Sequence, residues 1–122
     1  MAAGVVHVPW YATGFRGDAL EEALSEIAAI SLRYGATDYY VYRYREDRYK
    51  FLQSTSWNAK SDFDRYWYGD DFVEFRVRFS SYYQVPVLYG WVDLVAHGEV
   101  AAPPETSGQT LAGDRAQGDT VM

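Results

Sequence analysis

Between Thr37 and Arg45 the chain reads as a strand that is apolar on both sides. Tyr40, Tyr42 and Tyr44 fall on one face and Tyr39, Val41 and Arg43 on the other, because side chains alternate with period two. Gln84 to Ala96 repeats the pattern, with Val85, Val87, Tyr89 and Trp91 set against Leu88, Val92 and Leu94. A sheet made of such strands needs cover on both faces. At 122 residues the chain is one domain, and helices lying on one face of its sheet leave the other uncovered.

The remaining elements follow from local signals. Val5 to Tyr11 is β-branched and apolar enough for a strand, with Pro9 expected at its end or at a bulge because it has no N–H to donate. Asp18 and Glu21 have capping-box spacing ahead of Leu20, Leu24, Ile27 and Tyr34 at helical intervals, and Gly35 supplies a left-handed stop. Thr37–Arg45 and Arg48–Trp57 form a hairpin around Glu46–Asp47. Ser61 is placed to cap a short helix to Tyr68, and Asp70 or Asp71 to cap a second from Asp70 to Phe79. Gln84–Ala96 is the last strand. Residues 1–97 then form the domain, and 98–122, rich in Gly, Ala, Pro and Asp, read as a disordered tail.

The order strand, helix, strand, strand, helix, strand gives an α+β, ferredoxin-like βαββαβ fold, with a four-stranded antiparallel sheet and its helices on one face. The other face predicts a homodimer, two copies packed sheet to sheet. An exposed Tyr-rich face that tolerates water is the competing reading.

Composition narrows the function. Seventeen acidic against eleven basic residues oppose the positive field that nucleic acid requires. Arg48 to Thr55 also lacks the Gly–aromatic spacing of an RNA-recognition strand, so no nucleic-acid partner is expected. No membrane association is expected either, since no apolar run reaches a span of about 18 residues. With no Cys and no signal-peptide pattern, the sequence reads as a soluble cytoplasmic protein. Two His and no Cys make a transition-metal site improbable, and there is no dinucleotide fingerprint, Walker loop or nucleophile elbow. No cofactor is expected. Arg43, Arg45, Arg48 and Lys50 read as the solvated end of the hairpin.

Trp57 to Phe72 concentrates the rings that could wall a cavity: Trp57 at a strand end, then Phe63, Tyr66 and Trp67 on the inward side of a helix, then Phe72. Over about residues 4 to 96 this pattern resembles the dimeric α+β barrel superfamily, in its antibiotic-biosynthesis-monooxygenase-like branch. Trp57, Phe63 and Phe72 match the family's strand-end Trp, the apolar residue six positions on and the Phe fifteen on. Tyr66 stands where the family commonly has a His. Arg76 stands where a haem-degrading branch has its iron-ligating His, and a guanidinium has no lone pair for iron.

The resemblance implies a pocket between sheet and helices for a flat hydrophobic or phenolic molecule, with oxygenation needing neither metal nor flavin. Such chemistry deprotonates a phenol or enol and stabilises the anion beside oxygen. Tyr66, Arg76 and His7 are the catalytic candidates; Trp57, Phe63, Trp67, Phe72 and Trp91 are the substrate-binding ones. Each has a plain alternative: the rings as core, Arg76 as a solvated helix residue, and His7 as a structural residue facing the dimer interior if Val6 and Val8 face the helices. A non-catalytic small-ligand carrier or assembly module of the same fold is the alternative function.

Overall fold

The computed structural model describes residues 4–101. Four strands, β1 (Gly4–Tyr11), β2 (Ala36–Arg43), β3 (Lys50–Trp57) and β4 (Gly90–Asp93), make one antiparallel sheet in the order β2-β3-β1-β4. Helices α1 (Gly17–Ile30), α2 (Lys60–Trp67) and α3 (Asp70–Phe79) cover one face of it. This is the expected α+β, ferredoxin-like arrangement.

Strand parity decides what lies beneath the helices. Val6, Val8 and Trp10 of β1 and Phe51, Gln53, Thr55 and Trp57 of β3 point inward and are buried. They meet Leu20, Leu24 and Ile27 of α1, Phe63, Tyr66 and Trp67 of α2, and Phe72 and Phe75 of α3. Gly4 belongs to the same face, and a Cβ there would collide with the Trp91 indole, so β4 can lay its Trp across the start of β1 only over a glycine.

Helix α1 tightens into a 3-10 turn at Ser31–Tyr34 and stops at Gly35, whose φ of 108° is the left-handed stop expected there. At Gly69, between α2 and α3, a Cβ would strike the Arg65 carbonyl, so the two helices adjoin through a residue with no side chain.

Several local expectations are corrected. The last strand is Gly90–Asp93, not Gln84–Ala96: Pro86 has no N–H for a ladder, and the backbone before Gly90 bonds to β1 only at its start, where Gln84 N donates to Tyr11 O at 2.8 Å. Pro9 lies inside β1 without a bulge. β4 pairs only with Gly4–His7, which leaves that edge of β1 free beside Pro9. The residues proposed as caps do not cap. The N-cap positions are Arg16, Ala59 and Gly69, and none of the three helices has a side-chain cap bond.

Asp18 and Glu21 instead both accept from Arg43 Nη1, at 2.8 and 2.9 Å. Arg43 is therefore not a solvated hairpin residue. Its Nε donates to Arg48 O at 2.7 Å and its guanidinium lies 5.0 Å from the centre of the Phe51 ring. The hairpin connection runs over residues 44–49 rather than through Glu46–Asp47 alone. Residues 94–101 carry no regular structure, and the rest of the tail, 102–122, lies outside the described residues. Among the described residues no helix is long and apolar enough to cross a membrane.

Candidate functional site

The rings named from the sequence come together. Trp57 meets Phe63 at 5.7 Å and Tyr66 at 5.6 Å, Tyr66 meets Phe72 edge-on at 5.0 Å, and Trp67 meets Phe72 at 4.7 Å between centroids. These spacings are those of attractive aromatic pairs. Trp57, Phe63, Tyr66 and Phe72 are buried, so in the single chain they fill the space expected to be a cavity. A recess of about 70 Å³ does lie between α1 and α3, but Glu26, Asp71, Glu74 and Arg78 share in lining it, and it is too small for a fused-ring molecule.

A buried polar chain crosses the cluster. Trp10 Nε1 donates to Gln53 Oε1 at 3.1 Å, Gln53 Nε2 donates to the Tyr66 hydroxyl at 3.0 Å, and that hydroxyl donates to Ile27 O at 2.6 Å. The last bond has a local cause: the amides closing α1 turn back to Ala28 O and Ala29 O, and the Tyr66 hydroxyl takes the Ile27 carbonyl. Burial raises the Tyr66 ionisation far above the ordinary tyrosine range, opposed in part by the Gln53 bond. Near neutrality Tyr66 is a neutral phenol with its donor and an acceptor site in use. It positions its neighbours and is not free to exchange a proton with a ligand.

Arg76 is the polar group at the cluster's margin. Half-buried on α3, it donates from Nη2 to Trp67 O at 2.8 Å, and its guanidinium lies 4.8 Å from the Trp67 ring centre and 4.5 Å from that of Phe72. Burial lowers its pKa, and the nearby Tyr83 and Tyr68 oxygens work against that. Among the described residues no carboxylate forms an ion pair with it. A cation resting on two rings, with part of its donor set uncommitted, can receive an anion.

His7 is not part of this group. With Val6 and Val8 under the helices, it lies on the opposite face of the sheet, opposite Ser54 of β3 and Gly90 of β4. Trp91 is half-buried against the cluster. Two members escaped the sequence reading. Gln53 is the polar residue of an inward row, and its inward parity beside Phe51 and Thr55 was the available signal. Tyr89 is half-buried and meets Phe63 edge-on at 4.8 Å and Trp67 at 5.5 Å. Pro86 in a supposed strand was the sign that this segment leaves the ladder.

No protein-family model matches the sequence, and no curated protein matches it either. Solved structures do match in fold. PA3566 from Pseudomonas aeruginosa superposes with a TM-score of 0.70 at 20% identity, over 79% of this chain and 97% of that one. An antibiotic biosynthesis monooxygenase superposes at 0.66 and 12% identity, over 76% and 99%. A mutant form of SnoaB, a cofactor-independent oxygenase from Streptomyces nogalater, superposes at 0.65 and 14% identity, over 84% and 100%. The chain thus has the α+β fold of antibiotic-biosynthesis-monooxygenase-like proteins.

Proposed function

We propose that this protein binds a flat hydrophobic or phenolic molecule between the sheet and the helices, as a homodimer closed through the uncovered sheet faces. The observation that carries the reading is Arg76, a half-buried cation without an ion-pair partner among the described residues, seated on Trp67 and Phe72 at the edge of a ring cluster. A phenol or enol that loses its proton gains a counter-ion there, with Trp67 and Phe72 buried beneath the guanidinium and the half-buried Trp91 the member of the ring set that keeps aromatic surface.

The activity that the family resemblance implies is oxygenation without metal or flavin, and one fold neighbour, SnoaB, is a cofactor-independent oxygenase. In that reaction a ring methylene, the keto tautomer of a phenol, loses a proton. The anion then combines with dioxygen; one oxygen atom becomes a carbonyl and the other leaves in water, so R2CH2 + O2 gives R2CO + H2O. Arg76 would hold the negative charge on the substrate oxygen while this happens. Of the three catalytic candidates it alone suits a direct role, since Tyr66 is committed to Gln53 and Ile27, and His7 lies across the sheet.

The same two placements favour a second reading, a carrier that binds without turnover. Oxygen consumption with a panel of polycyclic phenols in metal-free buffer, run beside Trp fluorescence titrations, separates the two. Uptake that Arg76→Met abolishes supports the oxygenase; quenching without uptake supports the carrier; neither quenching nor uptake removes the ligand-binding reading altogether.

A further inference from the structure

Tyr89, half-buried, packs on the ring cluster from outside the helices and strands. It ends the irregular segment 84–89, in which Val87 and Tyr89 turn toward the core while Val85 and Leu88 are exposed. Its ring stands edge-on to Phe63 and Trp67, and Lys60 Nζ lies 5.6 Å from its centroid. Lys60 also pairs with Asp64 at 3.0 Å, which keeps the ammonium at this rim. A phenol set against two aromatic walls beneath an ammonium is the pose that a phenolic ligand would adopt, and here the chain supplies the phenol itself.

The segment is also weakly tied. Gln84 holds one end, its N bonded to Tyr11 O and its Nε2 to Ala12 O at 3.3 Å; regular pairing with β1 resumes at Gly90, and a Cβ on Gly90 would meet nothing within 4 Å. A stretch held mainly by two side chains belongs to the low-stability part of a fold, from which moving lids are drawn.

We propose that Tyr89 is a resident stand-in for the ligand: its ring marks a subsite made by Phe63, Trp67 and Lys60, and a phenolic molecule binds there by displacing it as residues 84–89 swing outward. This rests on the ligand-binding reading above and gives that ligand a chemical class, a molecule with a phenol ring seated beside the Lys60 ammonium as Tyr89 is, in addition to the oxygen that Arg76 receives. The filled ring cluster is then a closed state. Apparent affinity is reduced by the small fraction of molecules in which Tyr89 has left.

The test uses the full chain with three probes: p-cresol, which is the tyrosine side chain itself, toluene, which lacks the oxygen, and 1-naphthol as a fused-ring phenol. Tyr89→Gly is expected to bind p-cresol and 1-naphthol about tenfold or more tightly than wild type, because the competing ring is gone. In that background p-cresol should bind more tightly than toluene, and adding Lys60→Met should remove the difference. If Tyr89→Gly does not fold by circular dichroism, Tyr89→Leu keeps apolar bulk without the phenol and should still gain affinity for 1-naphthol. Equal 1-naphthol affinity in wild type and the folded variant would overturn the displaced-ring proposal and leave ligand binding intact. Binding of 1-naphthol to neither would remove the ligand-binding reading and this inference with it.

Discussion

Gln53 shows how one polar side chain organises an aromatic core. Trp10 can only donate through its indole N–H, so the Gln53 carbonyl oxygen must face it, and the amide nitrogen is thereby aimed at the Tyr66 hydroxyl. Tyr66→Phe removes one member of this chain and leaves Gln53 Nε2 and Ile27 O without that partner in a dry interior. The cost should be about 1–3 kcal/mol of unfolding free energy, read from urea denaturation. Tyr66 also links stability to alkaline pH. Its folded-state ionisation is raised above the reference value of 10.0, so above that pH the unfolded chain gives up the proton while the native one retains it. The contribution of Tyr66 is complete below about pH 10 and is lost above it, with a slope of up to about 1.4 kcal/mol per pH unit. Tyr66→Phe should shallow that slope, and an unchanged alkaline slope would mean that the hydroxyl is not shielded as described. The rings around it were legible in the sequence because Trp57, Phe63, Tyr66, Trp67 and Phe72 recur at strand and helix spacings. The roles of Gln53 and Arg43 were not. Arg43 is held by Asp18 and Glu21 from another element, and no local pattern encodes a partner more than twenty residues away.

Elements were recoverable where periodicity alone defined them and failed where a backbone donor was missing. Helices α1 and α3 and the pairing of β2 with β3 follow from their periodic patterns, although a register shift between Ala36 and Asp38 interrupts the ladder at its start. β4 shrank to Gly90–Asp93 because period-two apolarity through Val85, Val87 and Tyr89 also suits a loop that lays alternate side chains on a core, and Pro86 tips the balance. Two glycines permit packing that the pattern cannot announce. Gly69→Ala would drive a Cβ into the Arg65 carbonyl of the preceding turn, and since backbone cannot step aside cheaply, the turn that joins α2 to α3 must distort. Gly4→Ala meets the Trp91 indole, a side chain that can move, so its effect should be local. Gly69→Ala is expected to lower stability by about 1–3 kcal/mol, the range for overpacking, and Gly4→Ala by less. Gly4→Ala should instead shift Trp91 fluorescence to the red as the indole is pushed toward water. If the two variants unfold at the same urea concentration, the distinction between backbone and side-chain obstruction is wrong.

At the scale of the molecule the question is what lies on the outer face of the sheet. Its cross-strand rows read Tyr42–Leu52–Pro9, Tyr40–Ser54–His7–Gly90 and Asp38–Ser56–Val5–Val92, with Tyr44 beside Lys50 and Tyr11 at one end. Tyr40 and Tyr42 each keep 52% of their surface in water, although their rings stack on one another at 6.1 Å. This surface is mixed rather than oily: Ser54, Ser56 and His7 run through its middle, with tyrosines, Leu52, Val5 and Val92 around them. Tyr-rich surfaces with a polar handle on each ring suit protein interfaces, where the ring is desolvated and the hydroxyl finds a partner. A stable homodimer hides about 800 Å² on each partner, which makes the face as a whole, not one patch of it, the candidate contact. In a two-fold dimer the same surface meets its own copy, so a charge introduced at its centre is brought near the identical charge. Ser54→Glu, on the central strand β3 between Tyr40 and His7, should therefore give a monomer in light scattering at micromolar concentration where the wild type gives a dimer. Its urea midpoint at low protein concentration should stay close to that of the dissociated wild type, because Ser54 lies on the outer face and not in the core beneath the helices. Wild-type protein that scatters as a monomer at the same concentration would defeat the homodimer, and the outer face would then stand as a water-tolerant tyrosine surface.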